Sequence, residues 1–237
     1  MKIYVDLHIH SCLSPCGDND MTPWNICAMA KIKGLAAIAV TDHNSARNLP
    51  AAYKAAQAHG LLLLPGMEIT TREEVHLLAY FPTVDQALAM GDFLYDHLPC
   101  VQNDPRLFGE QHIMNERDEV TGEENRLLIT ATDLSLVRAA QEISRFSGLA
   151  VPAHINRGAN SLLVNLGFLP GDVLFPALEV APQLPISKEI LYGKTVLYAS
   201  DAHRLEDISE ASYSLEVSGL SPLCILTALG YDRVKSL

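Results

Sequence analysis

Positive charge is scarce in this chain: 17 Lys and Arg stand against 28 Asp and Glu, a formal net charge of −11. That balance argues against a protein that coats nucleic acid electrostatically. Aromatic residues make up only 6% of the chain, Trp24 is the single tryptophan, and no basic stripe carries interleaved aromatics. Long single strands are therefore poor ligands. No apolar run reaches transmembrane length, so no membrane partner is expected. No secretory leader is visible either, because the first strand candidate begins at residue 2 and already carries His8. The five cysteines (Cys12, Cys16, Cys27, Cys100, Cys224) are odd in number and lack a framework spacing. Together these absences predict a reducing, cytoplasmic setting. Internal repeats and low-complexity tracts are also lacking.

What is present is a regular alternation of short apolar runs and helical stretches. Strands are predicted at Ile3–His8, Leu35–Thr41, Leu61–Leu64, Val75–Tyr80, Leu149–Ala153, Ala177–Val180 and Thr195–Ser200. Helices are predicted over Pro23–Lys33, Ala46–His59, Val84–Leu98 and Leu134–Phe146, with N-caps at Thr22, Thr83 and Asp133. Shorter ones fit Ser161–Leu166, Ile186–Leu191 and Pro222–Leu229. Such alternation implies a parallel sheet with helices outside. At 237 residues the chain suits one domain over 1–237, a closed or nearly closed β/α barrel, with a doubly wound open sheet as the alternative. The polar stretch 99–130 breaks the rhythm. It reads as an insertion after the fourth strand, either a lid or a solvated excursion.

His8 and His10 are two residues apart on the first strand, so both side chains share one face, while Ile3, Val5, Leu7 and Ile9 share the other. Neighbouring imidazoles are the start of a metal site. Other candidate ligands sit at or just past strands: His43, Glu68, His154, Asp201 and His203, with His76 at a strand start and Glu179 within the sixth strand. Barrel strand ends converge on one face, where residues remote in sequence meet. A lone histidine at a strand end is more often structural. Six of nine histidines at matching places is a different pattern, whereas His59 and His97 lie near helix ends and His112 lies in the insertion. With Asp18, Glu68 and Asp201 the set reaches nine ligands, too many for one ion and suited to two or three. The donors suit zinc, manganese or iron. No cysteine is needed: Cys12 and Cys16 flank the site and are alternative thiolate ligands, but Ser11–Cys16 reads better as a tight loop of small residues.

The ordered segments Asp6-Leu7-His8-Ile9-His10-Ser11, Thr41-Asp42-His43-Asn44, Pro65-Gly66-Met67-Glu68-Ile69, Val75-His76-Leu77-Leu78, Pro152-Ala153-His154 and Ser200-Asp201-Ala202-His203 resemble the PHP family, the polymerase and histidinol phosphatase domain. The resemblance runs from Met1 to about His203. It implies a distorted (β/α)7 barrel with a trinuclear metal centre. By that resemblance His8, His10, Glu68 and Asp201 hold a first ion. Glu68, His76 and His154 hold a second, with Glu68 bridging. Asp18, His43 and His203 hold a third, with Asp20 as the rival of Asp18. Asp42 would orient a ligand histidine or Arg157.

The implied activity is hydrolysis of a phosphate ester by a metal-bound hydroxide. Arg157 is the best cation for the phosphate, Arg204 a weaker one, and Asp201 or His203 is the candidate general acid. The substrate would be a small phosphomonoester, a nucleotide or a short nucleic-acid end. A non-catalytic metal-binding module is the alternative. Hydrolysis of a carbon–nitrogen bond is disfavoured by the missing barrel-strand lysine pattern.

Overall fold

The first apolar segment forms strand β1 (Lys2–Ile9) in the computed structural model, which describes residues 1–235. Thr22 and Pro23 start helix α1 (Pro23–Ile32): Thr22 Oγ1 accepts from the Asn25 amide, and proline fills a position whose amide would go unpaired. Strand β2 (Ala37–Val40), helix α2 (Leu49–His59) and strand β3 (Leu62–Leu63) follow. Both β1–β2 and β2–β3 are parallel. Helix α2 starts at Leu49 rather than Ala46. Asn48, the residue before it, uses its side chain elsewhere, donating to Ser11 Oγ and the His112 carbonyl and accepting from the Met114 amide.

The parallel rhythm stops at strands β4 (Gly66–Thr70) and β5 (His76–Tyr80). These two pair antiparallel, contrary to the all-parallel expectation. Only residues 71–75 join them, far short of the dozen or more that a parallel crossover needs. Helix α3 (Val84–His97) leads into the 99–130 segment, which carries the short helix α4 (Pro105–Phe108) and a hairpin of β6 (His112–Met114) and β7 (Val120–Glu123). This segment is tied to the body: the His112 amide donates to the Cys12 carbonyl at 2.9 Å, and Asn44 Nδ2 donates to the carbonyls of Leu128 and Thr130. Helix α5 (Leu136–Arg145) is capped by Ser135 and not Asp133, whose carboxylate instead meets His97 Nδ1 at 2.7 Å.

Strand β8 (Leu149–Pro152) adds antiparallel to β5. Then come α6 (Leu162–Asn165), β9 (Ala177–Glu179), α7 (Lys188–Leu191), β10 (Thr195–Leu197), β11 (Ser214–Glu216), α8 (Pro222–Ala228) and α9 (Tyr231–Lys235). Strands β9 and β10 are parallel, and β11 returns antiparallel to β1. Among the described residues the ladders β11-β1-β2-β3, β4-β5-β8, β9-β10 and β6-β7 do not join into one closed ring. Isolated bridges from Ile9 to Ala202 and from His43 to Glu68 stitch separate ladders together. The architecture is mixed α/β.

Two buried layers hold it. Val5, Leu7, Ala37, Leu78, Tyr80, Val151 and Leu197 pack on one side of the strands. Ile26, Ile38, Val40, Ala52, Met67, Met90 and Ile143 pack under the helices. A large apolar side chain gains roughly 1.5–3 kcal/mol on full burial. Among the described residues no helix is long and apolar enough to cross a membrane.

Candidate metal centre

The register of β1 explains how its histidines reach the site. Val5 and Asp6 pair with Ala37 and Ile38, but Ile9 pairs with Val40, so β1 carries one extra residue. Such a bulge re-aims the side chains beyond it. Ile9 accordingly joins the helix-covered layer while Ile3, Val5 and Leu7 stay in the other, a departure from the single apolar face expected for all four. Tyr80 Oη donates to the Leu7 carbonyl at 2.7 Å and satisfies the backbone within the bulge.

Within and just past the bulge, His8 Nε2 and His10 Nε2 lie 3.2 Å apart. Asp201 Oδ1 is 3.2 Å from the first and 3.3 Å from the second. Glu68 Oε1 is 3.3 Å from His8 Nε2, and Glu68 Oε2 is 3.4 Å from His10 Nε2. Ligands at about 2.0–2.1 Å from a tetrahedral ion stand about 3.3 Å from one another. His8, His10 and Asp201 therefore have the spacing of ligands to one ion, and His43, Glu68 and His76 form a second such group.

Glu68 is approached from other directions too. Its Oε1 is 3.0 Å from His76 Nδ1 and 3.4 Å from His154 Nε2, and its Oε2 is 3.2 Å from His43 Nδ1. Several of these close approaches are not hydrogen bonds. Glu68 Oε1, His43 Nδ1 and both ring nitrogens of His76 are buried without a hydrogen-bond partner. Unpaired buried polar atoms are costly, and cations placed among them would satisfy them. Asp201 and His154 are held at φ +54° and +27°, backbone strain that non-glycine residues accept at functional sites.

Outer partners orient the rings. Glu179 Oε2 is 2.9 Å from His8 Nδ1, leaving Nε2 for the cluster. Asp42 accepts from Ser14 Oγ at 2.7 Å, and that hydroxyl lies 3.0 Å from His10 Nδ1. Asp42 thus reaches His10 through Ser14, not Arg157. Asp6 accepts from the amides of Ser200 and Ser209 and holds the loop that carries Asp201. Sequence reasoning assigned no role to Asp6 or Ser14. Asp6 opens the first motif and Ser14 lies in the loop after it, and only their burial in the structure marks them.

The electrostatics draw positive charge inward. Burial lowers His8, but Glu179, Asp201 and Glu68 outweigh it and hold the imidazole well above its ordinary value. His10 is pushed to about 9, because Asp201 and Glu68 again outweigh the loss of water. Burial would raise Glu68, but His76 and His8 hold it well below the carboxylate range. Asp201 is also depressed: His8 and a hydrogen bond from His10 overcome its burial. Burial and His10 lower His43 strongly and bring His203 to about 4.

Eight of the nine sequence-predicted ligands gather here: His8, His10, His43, Glu68, His76, His154, Asp201 and His203. Asp18 does not join them. Its side chain is 58% exposed, and Oδ2 lies 3.6 Å from Arg204 Nε. Asp20 is exposed as well. Arg157 ion-pairs with Asp201 Oδ2 at the rim of a cavity of about 360 Å³, which His43, Glu68, His76, His154 and His203 also line.

A family model described as PHP domain matches residues 6–149. No curated protein sequence matches the chain. Among solved structures, the lesion-specific endonuclease PfuEndoQ from Pyrococcus furiosus aligns with a TM-score of 0.70 at 20% identity, over 100% of this chain and 56% of its own. A proposed metal-dependent phosphoesterase from Bifidobacterium adolescentis aligns with a TM-score of 0.60 at 20% identity, over 94% of this chain and 96% of its own. An amidohydrolase from Chromobacterium violaceum gives 0.54 at 18% identity, over 93% of each chain. The chain spans little more than half the length of the endonuclease. Identities this low show a shared fold.

Proposed function

Because the chain belongs to the PHP domain family, we propose that it is a metal-dependent phosphoesterase. The observation that carries this reading is the convergence of five histidines on the two oxygens of Glu68, with Asp201 beside them. The three-site arrangement and the distorted (β/α)7 barrel belong to the same proposal. The antiparallel β4-β5-β8 ladder makes such a barrel irregular.

Bound zinc, manganese or iron ions would supply Lewis acidity and an activated water for attack on phosphorus. The chain's own contributions are positional. His8, His10, Glu68 and Asp201 would hold one ion, and His76, His154 and Glu68 another. Arg157 has a planar fork that matches phosphate oxygens, and an incoming phosphate would compete with Asp201 Oδ2 for it. The leaving-group proton would come from Asp201, from His203 or from solvent in the cavity that His203 and Asp201 line. The 99–130 segment supplies Ile129 to the cavity, which supports a wall for the substrate.

The cavity's size and its guanidinium favour a small phosphomonoester, a nucleotide or a short nucleic-acid end. The endonuclease neighbour has been solved with a 27-mer duplex carrying an abasic lesion, which keeps nucleic-acid ends in the set. The test is phosphate release from aryl phosphates, phosphorylated metabolites and short oligonucleotides by the purified chain loaded with each metal. Turnover of at least one class, lost in His8→Ala, is expected. Full metal loading with no turnover of any phosphoester would leave the non-catalytic module as the better reading.

A further inference from the structure

We propose that Cys16 is a thiolate ligand of the ion held by His43 and His203, in the position that the sequence motif gives to Asp18. The inference deepens the metal-dependent reading above and rests on it. Cys16 Sγ and one ring nitrogen each of His10, His43 and His203 lie within 4.8 Å of one another. Cys16 also lines the same cavity as His43, His203 and Arg157. His43 is almost fully buried; its Nδ1, without a hydrogen-bond partner, faces Glu68 Oε2 at 3.2 Å, and the ring belongs to both groups of potential ligands. His10 already faces Glu68 and Asp201 through Nε2 and Ser14 through Nδ1, which leaves Cys16, His43 and His203 as a three-ligand set.

The loop itself turns Cys16, an exposed residue, toward the cavity. The Ser14 amide donates to the Ser11 carbonyl at 3.0 Å, the Gly17 amide to Ser14 at 2.9 Å and the Asp18 amide to His203 at 2.9 Å. Gly17 is pressed so close that a Cβ there would stand 2.6 Å from the Ser11 carbonyl oxygen. This tight turn aims Asp18 at Arg204 and solvent. On binding, the Cys16 S–H bond breaks, its proton passes to water and the sulfur's electron pair forms the bond to the ion. Thiolate is a soft donor, and with two imidazoles it selects zinc, ferrous iron or cobalt over magnesium, calcium and manganese. The three positions are therefore unlike, and the one at the cavity mouth rejects hard ions.

Cobalt(II) substitution of the metal-stripped full chain provides the test, with bound cobalt counted by elemental analysis. A near-ultraviolet thiolate-to-cobalt charge-transfer band is expected in the unaltered chain, in Asp18→Asn and in Cys12→Ser. Cys16→Ser and Cys16→Ala should lose the band and about one ion per chain while the other ions stay bound. Cobalt bound without the band, or a band that persists in Cys16→Ser, would overturn the Cys16 assignment and leave the metal-dependent reading standing. Failure to bind any cobalt would overturn both. Far-ultraviolet circular dichroism identifies any variant that fails to fold, and the Asp18→Asn comparison does not depend on those variants.

Discussion

Glu68 sorts its neighbours by oxygen. His8, His76 and His154 face Oε1, while His10 and His43 face Oε2. A carboxylate shared in this way can bridge ions only if every ring presents the correct nitrogen. Glu179 sets that choice for His8, which makes it a positioning residue. Replacing Glu179 with leucine keeps the bulk and removes the acceptor. Metal affinity, measured by chelator competition, should fall about 10–100-fold. An unchanged affinity would show that packing alone orients His8. Much of this level was legible in the sequence, because a period of two puts His8 and His10 together and strand ends collect the rest. Cys16 was not so legible. The spacing to Thr22-Pro23 favours Asp18, and only the folded turn shows that Cys16 and not Asp18 lines the cavity.

At the scale of elements, the bulge in β1 and the β4–β5 hairpin make the site. Strand β4 is buried on both faces, so it lacks the alternation that announces a strand, and Pro65-Gly66 reads as a turn. Gly66 fits tightly there: a Cβ would meet Thr41 and Tyr80 side-chain atoms at 3.0 Å, and those side chains would have to give way. The bulge is invisible in sequence because its cause is a register difference between two strands. Tyr80→Phe tests it. Losing the hydroxyl orphans the buried Leu7 carbonyl and should cost about 1–3 kcal/mol in denaturant unfolding. A change within about 0.5 kcal/mol would mean that the carbonyl has found another donor.

At the scale of the molecule, seven strands were expected and eleven form among the described residues. The expected parallel direction holds for β1–β2, β2–β3 and β9–β10 but not for β4–β5–β8 or for β11, since alternation of strand and helix cannot reveal an antiparallel return through a five-residue connection. The site also governs stability against pH. His10 is raised above its unfolded value, so in chelator-treated protein its contribution is complete below about pH 6.5 and lost as pH rises through about 9. His203, lowered to about 4, acts on the other side: its contribution fades as pH falls from about 6.5 through 4. The depressed Glu68 and Asp201 reinforce that acid loss. Thermal unfolding of stripped protein should therefore peak near neutrality and drop by roughly 5 °C toward pH 9. Metal-loaded protein should not show the alkaline drop, because a neutral His10 is what an ion binds. Parallel profiles for the two forms would sever the link between the cluster's charge and the fold.

The pairing of β1 with β11 carries a consequence for biosynthesis. Ile3 lies opposite Leu215, and the Met1 ammonium donates to the Val217 carbonyl. A ribosome adding about 5–20 residues per second needs roughly 10–40 s to travel between those strands. Throughout that interval the nascent β1 carries Ile3, Val5 and Leu7 without their final cover, and His8 and His10 wait for Asp201. The full ligand set therefore exists only once the segment carrying Asp201 and His203 has emerged, and an ion bound earlier is held by part of it.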